Sequence, residues 1–239
     1  YLSIIFPAHD EEERLPDTLA KALEFVQAQP FTCELLVVEN ASTDHTLAIA
    51  QEYAAQHPNL RVLHLDLPGK GRAVQAGMLA AGGQYRFICD VDLSMPASEI
   101  PRFLPPQLEG VDVAIASREA PGAVRYNEPL YRHLVGRVFN NMVRWLTLPK
   151  LQDTQCGFKC FSAAAAEQLF PLQTITGWTF DVEILAIAFR KGLTLREVPI
   201  PWYYQPHSKV KVLRDSLRMA LDLFTIRRNL RFGRYDQPR

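Results

Sequence analysis

An α/β fold with a doubly wound, mostly parallel central sheet is what this sequence predicts, and three observations predict it. Short apolar runs alternate with longer amphipathic segments through the first half of the chain. The breaks between them carry Pro, Gly, Asn and Asp, and alternation of that kind builds parallel pairs through crossover helices. The 239 residues are 48% hydrophobic and 22% charged, which suits one large domain, with or without a helical appendage.

The elements follow in order. Leu2 to Phe6 is a strand stopped by Pro7. Asp10 to Glu13 open an amphipathic helix carrying Leu15, Leu19, Leu23 and Val26, since acids in a first turn suit the helix dipole. Glu34 to Val38 is the second strand, and Asn40 to Asp44 a turn with capping side chains before a helix through about His57. Leu60 to Leu65 is the third strand. Pro68-Gly69-Lys70-Gly71 breaks the chain before a helix of small residues ending near Gly82 and Gly83. Tyr85 to Cys89 is the fourth strand and Val111 to Ala116 the fifth. After Arg118 the rhythm changes. A polar stretch through Asn127 reads as a loop, and Pro129 to about Leu146 as a helix. Asp153 to Phe161 reads as a turn running into a strand, followed by helices over Ala163–Phe170 and from Trp178 to Arg190. Leu193 to Tyr204 is strand-rich, and Pro199 and Pro201 place it at an edge. Val210 to about Leu230 is a long final helix.

Several function classes fall away. The net charge is zero, so nothing global points to nucleic acid. No run of 18 apolar residues and no signal-peptide pattern is present. Strand-like sequence begins at Tyr1, as expected of a segment excised from a longer protein that could carry an anchor. Cys33, Cys89, Cys156 and Cys160 form no C-x-x-C pair, so free thiols in a reducing cytosol are expected. Gly69-Lys70-Gly71 is not a phosphate loop, because no G-x-x-x-x-G-K-[S/T] is present and Arg72 follows Gly71. No G-x-G-x-x-G follows the first strand, which disfavours a dinucleotide fold.

The chemistry centres on Asp90-Val91-Asp92, directly after an apolar strand. In an extended chain residues i and i+2 point to one side, so the two carboxylates can converge on a hard cation, Mg²⁺ or Mn²⁺. Ligands of open α/β sheets bind outside the carboxyl ends of strands, where this pair falls. Taken alone, the pair reads better as two solvated acids in a strand-to-loop turn.

Its company decides. Pro7-Ala8-His9-Asp10-Glu11, Val38-Glu39-Asn40-Ala41-Ser42-Thr43-Asp44, Lys70-Gly71, Asp90-Val91-Asp92-Leu93 and Ala116-Ser117-Arg118 together resemble the family 2 glycosyltransferases. Asp153-Thr154-Gln155-Cys156-Gly157-Phe158-Lys159, Trp178 with Phe180-Asp181-Val182-Glu183, and Glu197-Val198-Pro199 resemble the branch that glycosylates polyprenyl phosphates with glucose, which sits beside the mannose synthases. The resemblance implies a GT-A type nucleotide-sugar-binding fold over residues 1–205, with a nucleotide-binding half (1–118) and an acceptor half (119–205). Residues 206–239 would form a basic amphipathic helix.

The resemblance also implies roles. Pro7, Ala8 and Glu11 would line the base pocket, with Glu39 and Asn40 at base and ribose. Lys70, Asp90, Val91 and Asp92 would complete the nucleotide-sugar site, the two acids holding Mg²⁺ or Mn²⁺. Arg118 and Arg132 would grip the diphosphate. Asp153 would position sugar or acceptor, Trp178 would stack on sugar or prenyl chain, and Lys209 would contact phosphate. Without the resemblance, Asp153 reads as a turn cap, Trp178 as core, the arginines as surface, and Asp181 and Glu183 as helix caps. The implied reaction is inverting, metal-dependent transfer of a hexose from a UDP-sugar, UDP-glucose by branch, to a dolichyl or undecaprenyl phosphate at the cytoplasmic face of a membrane. A hydroxyl acceptor on a glycan, glycolipid or protein is the alternative within the enzyme class, and a non-catalytic nucleotide-sugar module the alternative outside it. Between Lys209 and Asp236 eight basic residues face three acids. With Val210, Leu213, Leu217, Leu221 and Phe224 at helical spacing, the segment reads as a membrane-surface helix, or a core-packed one with a solvated edge.

Overall fold

Seven strands in the order β3-β2-β1-β4-β7-β5-β8 make the central sheet. The computed structural model describes residues 1–148, 150–205 and 212–236, and in the last segment side chains from 215 onward. In chain order the elements are β1 (Leu2–Ala8), α1 (Leu15–Gln27), β2 (Cys33–Asn40), α2 (Thr46–Gln56), β3 (Leu60–Leu65), α3 (Lys70–Ala80), β4 (Tyr85–Cys89) and β5 (Val113–Ser117). There follow β6 (Val124–Tyr126), α4 (Leu130–Leu146), β7 (Phe158–Ser162), α5 (Ala163–Leu169), α6 (Phe180–Arg190), β8 (Leu195–Pro199), β9 (Pro201–Tyr203) and α7 (Val212–Arg231).

Strands β1 to β4 pair in parallel, as do β5 and β8. Strand β7 is antiparallel to both β4 and β5, so the sheet is mixed but mostly parallel. Successive residues of a strand point to opposite faces, and both faces are buried. Ile5, Leu36, Val38, Ile88 and Ile115 pack on one side beneath α3, α5 and α6. Ile4, Phe6, Val37, Phe87 and Phe158 pack on the other, beneath α1 and the 3-10 turn over Ala97–Phe103. Strands buried on both faces read as continuous apolar runs, which is why the sequence revealed them. Leu223, Ile226 and Tyr235 of the C-terminal segment join the first of these cores.

Four local expectations are corrected. The chain keeps β1 through Pro7 to Ala8, since parallel pairing with Val38 and Glu39 carries it on. Asp10 to Glu13 are not the first turn of α1, which starts at Leu15 with Asp17 as its acid. They form a loop in which Asp10 has φ +50°. Its backbone N–H groups donate to the next loop instead: Asp10 to Ser42 Oγ, Glu11 to Thr46 Oγ1 and Glu12 to Asp44. The polar stretch before Asn127 contains β6, which pairs in parallel with β9. That partner lies far along the chain, so no local signal announced it. The fifth strand begins at Val113, and the Asp112 carboxylate just before it accepts the Thr194 N–H.

Helix α3 lies close on β1 and β2 because its inner face is small. A Cβ at Gly77 would meet Ile5 Cγ2 at 2.5 Å and Val38 Cγ2 at 2.9 Å. Gly77→Val is therefore expected to destabilise the fold by about 1–3 kcal/mol through overpacking. Urea denaturation should show a lower midpoint with an unchanged slope.

Candidate active site

The C-terminal ends of β1, β4 and β5 open into a cleft of about 690 Å³. Pro7, Ala8, Glu11, Asn40, Lys70, Asp90, Val91, Asp92, Arg118, Arg132, Asp153 and Trp178 all border it. Two residues expected at the site do not join them. Glu39 is fully buried beside the cleft, and Lys209 lies outside the described residues.

Glu39 acts on loop structure. Its Oε1 accepts the Ser42 N–H at 2.6 Å, and Oε2 bonds to His64 Nδ1. Burial raises its carboxyl, but the Ser42 and His64 bonds outweigh that and hold it below the usual range. Asn40 fastens the next loop. Its Oδ1 accepts the Gly69 N–H at 2.7 Å, and Nδ2 donates to Leu67 O at 3.1 Å. Gly69 has φ +145°, and a Cβ there would lie 2.5 Å from Thr176 O. The glycine turn is thus required by backbone conformation and by a close approach, and it delivers Lys70 to the cleft.

Lys70 begins α3 and places Nζ 2.6 Å from Asp90 Oδ1. It also lies 5.4 Å from the centre of the Trp178 ring, within cation–π range. Burial lowers its pKa, but Asp90 and then Asp181 outweigh the effect and raise it.

Asp90 and Asp92 meet by a route other than strand alternation. Strand β4 ends at Cys89. The acids follow in a turn closed by the Leu93 N–H on Asp90 O at 3.3 Å, with Leu93 at φ +43°. Asp92 Oδ1 accepts the Ser94 N–H at 2.9 Å. Burial and then the charge of Asp90 raise the Asp92 carboxyl. A buried acid beside a second acid marks a place that favours a cation. The donor set is hard oxygen, as Mg²⁺ or Mn²⁺ requires, and the Lys70 ammonium already places positive charge on Asp90. Among the described residues no cluster of three or more His, Cys, Asp or Glu side chains could hold a metal. Two carboxylates with substrate phosphate and water are enough for such an ion.

Asp153 grips Arg118. Its oxygens accept from Arg118 Nε at 2.7 Å, Nη2 at 2.9 Å and the Arg118 N–H at 3.0 Å. It also accepts the Gln155 N–H at 3.2 Å, so it caps its turn as well. Burial would raise the carboxyl, but Arg118 dominates and brings it down to about 2. Glu197 holds this turn from behind, accepting the Gln152 and Asp153 N–H groups. Arg118 lies 5.4 Å from the Trp202 ring, and Arg132 donates to Tyr204 Oη at 3.2 Å.

Asp181 and Glu183 do not cap α6. Asp181 Oδ1 pairs with Lys159 Nζ at 2.7 Å. Glu183 accepts the Thr174 and Ile175 N–H groups and the Tyr235 hydroxyl. Lys159 and Asp181 were missed as partners. The available signal was a lysine inside the apolar run Phe158–Phe161, since a buried charge needs a counter-charge.

The sequence model of the family described as Glycosyl transferase family 2 matches residues 3–170. The chain belongs to that family. Among its relatives, a dolichyl-phosphate beta-glucosyltransferase of Trichomonas vaginalis is 32% identical over 98% of this chain and 72% of its own length. The dolichyl-phosphate beta-glucosyltransferase of Drosophila melanogaster is 33% identical over 94% of this chain and 74% of its own length. The fold is of the GT-A type, as in solved glycosyltransferases. Glucosyl-3-phosphoglycerate synthase from Mycobacterium tuberculosis, crystallised with Mn²⁺ and UDP-glucose, superimposes with a TM-score of 0.67. It is 20% identical and covers 95% of this chain and 78% of its own. Mannosyl-3-phosphoglycerate synthase from Rubrobacter xylanophilus reaches 0.70 at 20% identity, over all of this chain and 76% of its own. As a family 2 member, this chain is a glycosyltransferase.

The Asp153–Arg118 pair has a pH signature. The folded carboxyl titrates near 2, below the ~3.9 of an unfolded aspartate. Its stabilisation is complete above pH ~4 and disappears as pH falls toward 2. Asp153→Asn should therefore lower stability by about 2 kcal/mol at pH 7. In urea titrations the gap from the native protein should close between pH ~4 and ~2.

Proposed function

We propose that this glycosyltransferase moves glucose, with inversion, from UDP-glucose to a polyprenyl phosphate of the dolichyl or undecaprenyl type at a membrane surface. The observation that carries the reading is the likeness to dolichyl-phosphate beta-glucosyltransferases over nearly the whole chain, acceptor half included. The cleft fits it. Pro7, Ala8 and Glu11 suit the base end. Asp90 and Asp92 would hold Mg²⁺ or Mn²⁺, which when bound supplies Lewis-acid charge neutralisation for a departing diphosphate. Lys70, Arg118 and Arg132 add fixed positive charge, and charge-assisted bonds to phosphate oxygens are the strong kind.

The state of Asp153 favours a phosphate acceptor over a hydroxyl. A carboxylate with a pKa of about 2, bound on both oxygens by Arg118, is a poor base. A hydroxyl acceptor needs a good base. A phosphate monoester, with a second pKa near ~6 by analogy with phosphoserine, is already nucleophilic at neutral pH. The remaining tasks are alignment and exclusion of water. Trp178 borders the cleft as a platform for sugar or prenyl chain.

No described helix is long and apolar enough to cross a membrane. Two helices suit peripheral contact instead. Helix α7 buries Met219, Leu223 and Ile226 while Leu217, Leu221 and Phe224 stay exposed. Its neighbour α4 exposes Leu130, Leu134 and Val138. Both helices also border the cleft, through Arg132 and Met219. Arg227, Arg228, Arg231 and Arg234 bring positive charge, each worth about 1 kcal/mol at an anionic leaflet. Lys209, outside the described residues, is assigned to acceptor phosphate by resemblance.

Two experiments test the proposal. With UDP-glucose and a short-chain polyprenyl phosphate, UDP release should require the lipid phosphate. It should stop on chelation and return with Mn²⁺ or Mg²⁺. Release with GDP-sugars only, or to a sugar hydroxyl in the absence of lipid phosphate, would remove the reading. In vesicle co-sedimentation, Leu221→Glu with Phe224→Glu should lower binding to anionic vesicles at least tenfold and leave turnover of a water-soluble short-chain acceptor within about twofold. Unchanged sedimentation would rule out α7 as the contact.

A further inference from the structure

One buried ion pair at the cleft has no part in the chemistry described so far. Lys159, the second residue of β7, is 1% exposed, and Asp181, in the first turn of α6, is 5% exposed. Their Nζ and Oδ1 atoms are 2.7 Å apart, and Lys159 also donates to Cys156 O. Burying two ions costs several kcal/mol each, and an apolar pair of similar volume often serves stability as well or better. Packing alone therefore gives no reason for this pair.

Its position gives one. Asp181 borders the cleft, as does Trp178 just before α6. Its charge acts on Lys70 and opposes that of Asp90. The four side chains form an alternating series: Lys159, Asp181, Lys70, Asp90. Asp90 and Lys70 are assigned to the cation and diphosphate. The donor hexose is bonded directly to that diphosphate, and Asp181 is a further carboxylate that borders the same cleft and acts on Lys70. Asp153 is not available to the sugar, because Arg118 and the Gln155 N–H engage both its oxygens. Among the described residues, Asp181 has Lys159 as its one hydrogen-bonding partner. It therefore keeps acceptor capacity toward the cleft.

We propose that Asp181 is a sugar-specificity residue, accepting hydrogen bonds from hydroxyl groups of the donor hexose, and that Lys159 is the positioning residue holding its carboxylate in place. This rests on the reading of the donor as a UDP-hexose. A hydrogen bond from a hydroxyl to a charged acceptor is worth about 10- to 100-fold in affinity.

The test is calorimetric titration, in Mn²⁺, of UDP and of UDP-glucose into the full chain and its Asp181→Asn variant. The ratio of the two affinities is the readout. Through Lys70 and Asp90 the lost charge acts on UDP and UDP-glucose alike, and UDP-glucose should lose a further 10- to 100-fold in the variant. A UDP-deoxyglucose lacking the contacted hydroxyl should change only as UDP does. A role in structure alone would weaken UDP and UDP-glucose by the same factor, and that result, or no change in either, overturns the proposal. If the lone Lys159 charge prevents Asp181→Asn from folding, the double variant Lys159→Met, Asp181→Asn removes it and is read the same way. Failure of the native protein itself to bind UDP-glucose would overturn the donor reading and this proposal with it. Binding by the native protein with an unchanged ratio in the variant overturns this proposal alone.

Discussion

The insertion of β7, antiparallel, between β4 and β5 is the constraint on which the site depends. The register sets Cys89 opposite Phe158, so the residues just beyond these two meet. The Asp90 N–H donates to Gly157 O at 3.1 Å. A Cβ on Gly157 would fall 1.9 Å from Asp90 Oδ2, so only glycine lets the carboxylate lie where it does. The same insertion brings the turn preceding β7 over the end of β5, where Asp153 receives Arg118 from three donors. One strand placement therefore positions an acid of the Asp-x-Asp turn and a basic residue of the cleft together.

The cleft is a place where charge is ordered more than it is abundant. The acids Asp90, Asp153 and Asp181 each face a cation at 2.6 to 2.7 Å. In a partly dehydrated site such pairs are costly to form and costlier to break from one side. Holding each group in one orientation before substrate arrives reduces the reorganisation needed during reaction.

Helix α7 joins two environments. Its inner face carries Leu223 and Ile226 into the core, and Asp222 accepts from Thr179, the residue preceding α6. Its outer face leaves Leu217, Leu221 and Phe224 exposed. The periodicity of those three residues was visible in the sequence, as was the basic excess. A stripe at helical spacing states that a face is apolar, not what lies against it. That stripe proved to be the exposed one, while a second apolar stripe lies in the core.

What the sequence determined by itself is what short-range physics controls. Strands buried on both sides must be apolar throughout, amphipathic helices must repeat every three to four residues, and Gly69 must stand where φ is positive. The order of strands and helices and the family motifs at Asp90-Val91-Asp92 and Ala116-Ser117-Arg118 were legible for that reason. Only the tertiary structure decided the rest. It turned β7 against its neighbours, gave β6 its partner, withdrew Glu39 from the cleft to His64, and matched Asp153 with Arg118 and Lys159 with Asp181. Each of these is a pairing between residues distant in the chain. Its free energy comes from the exclusion of water and the approach of opposite charges after folding, and local composition carries no record of which distant group will arrive.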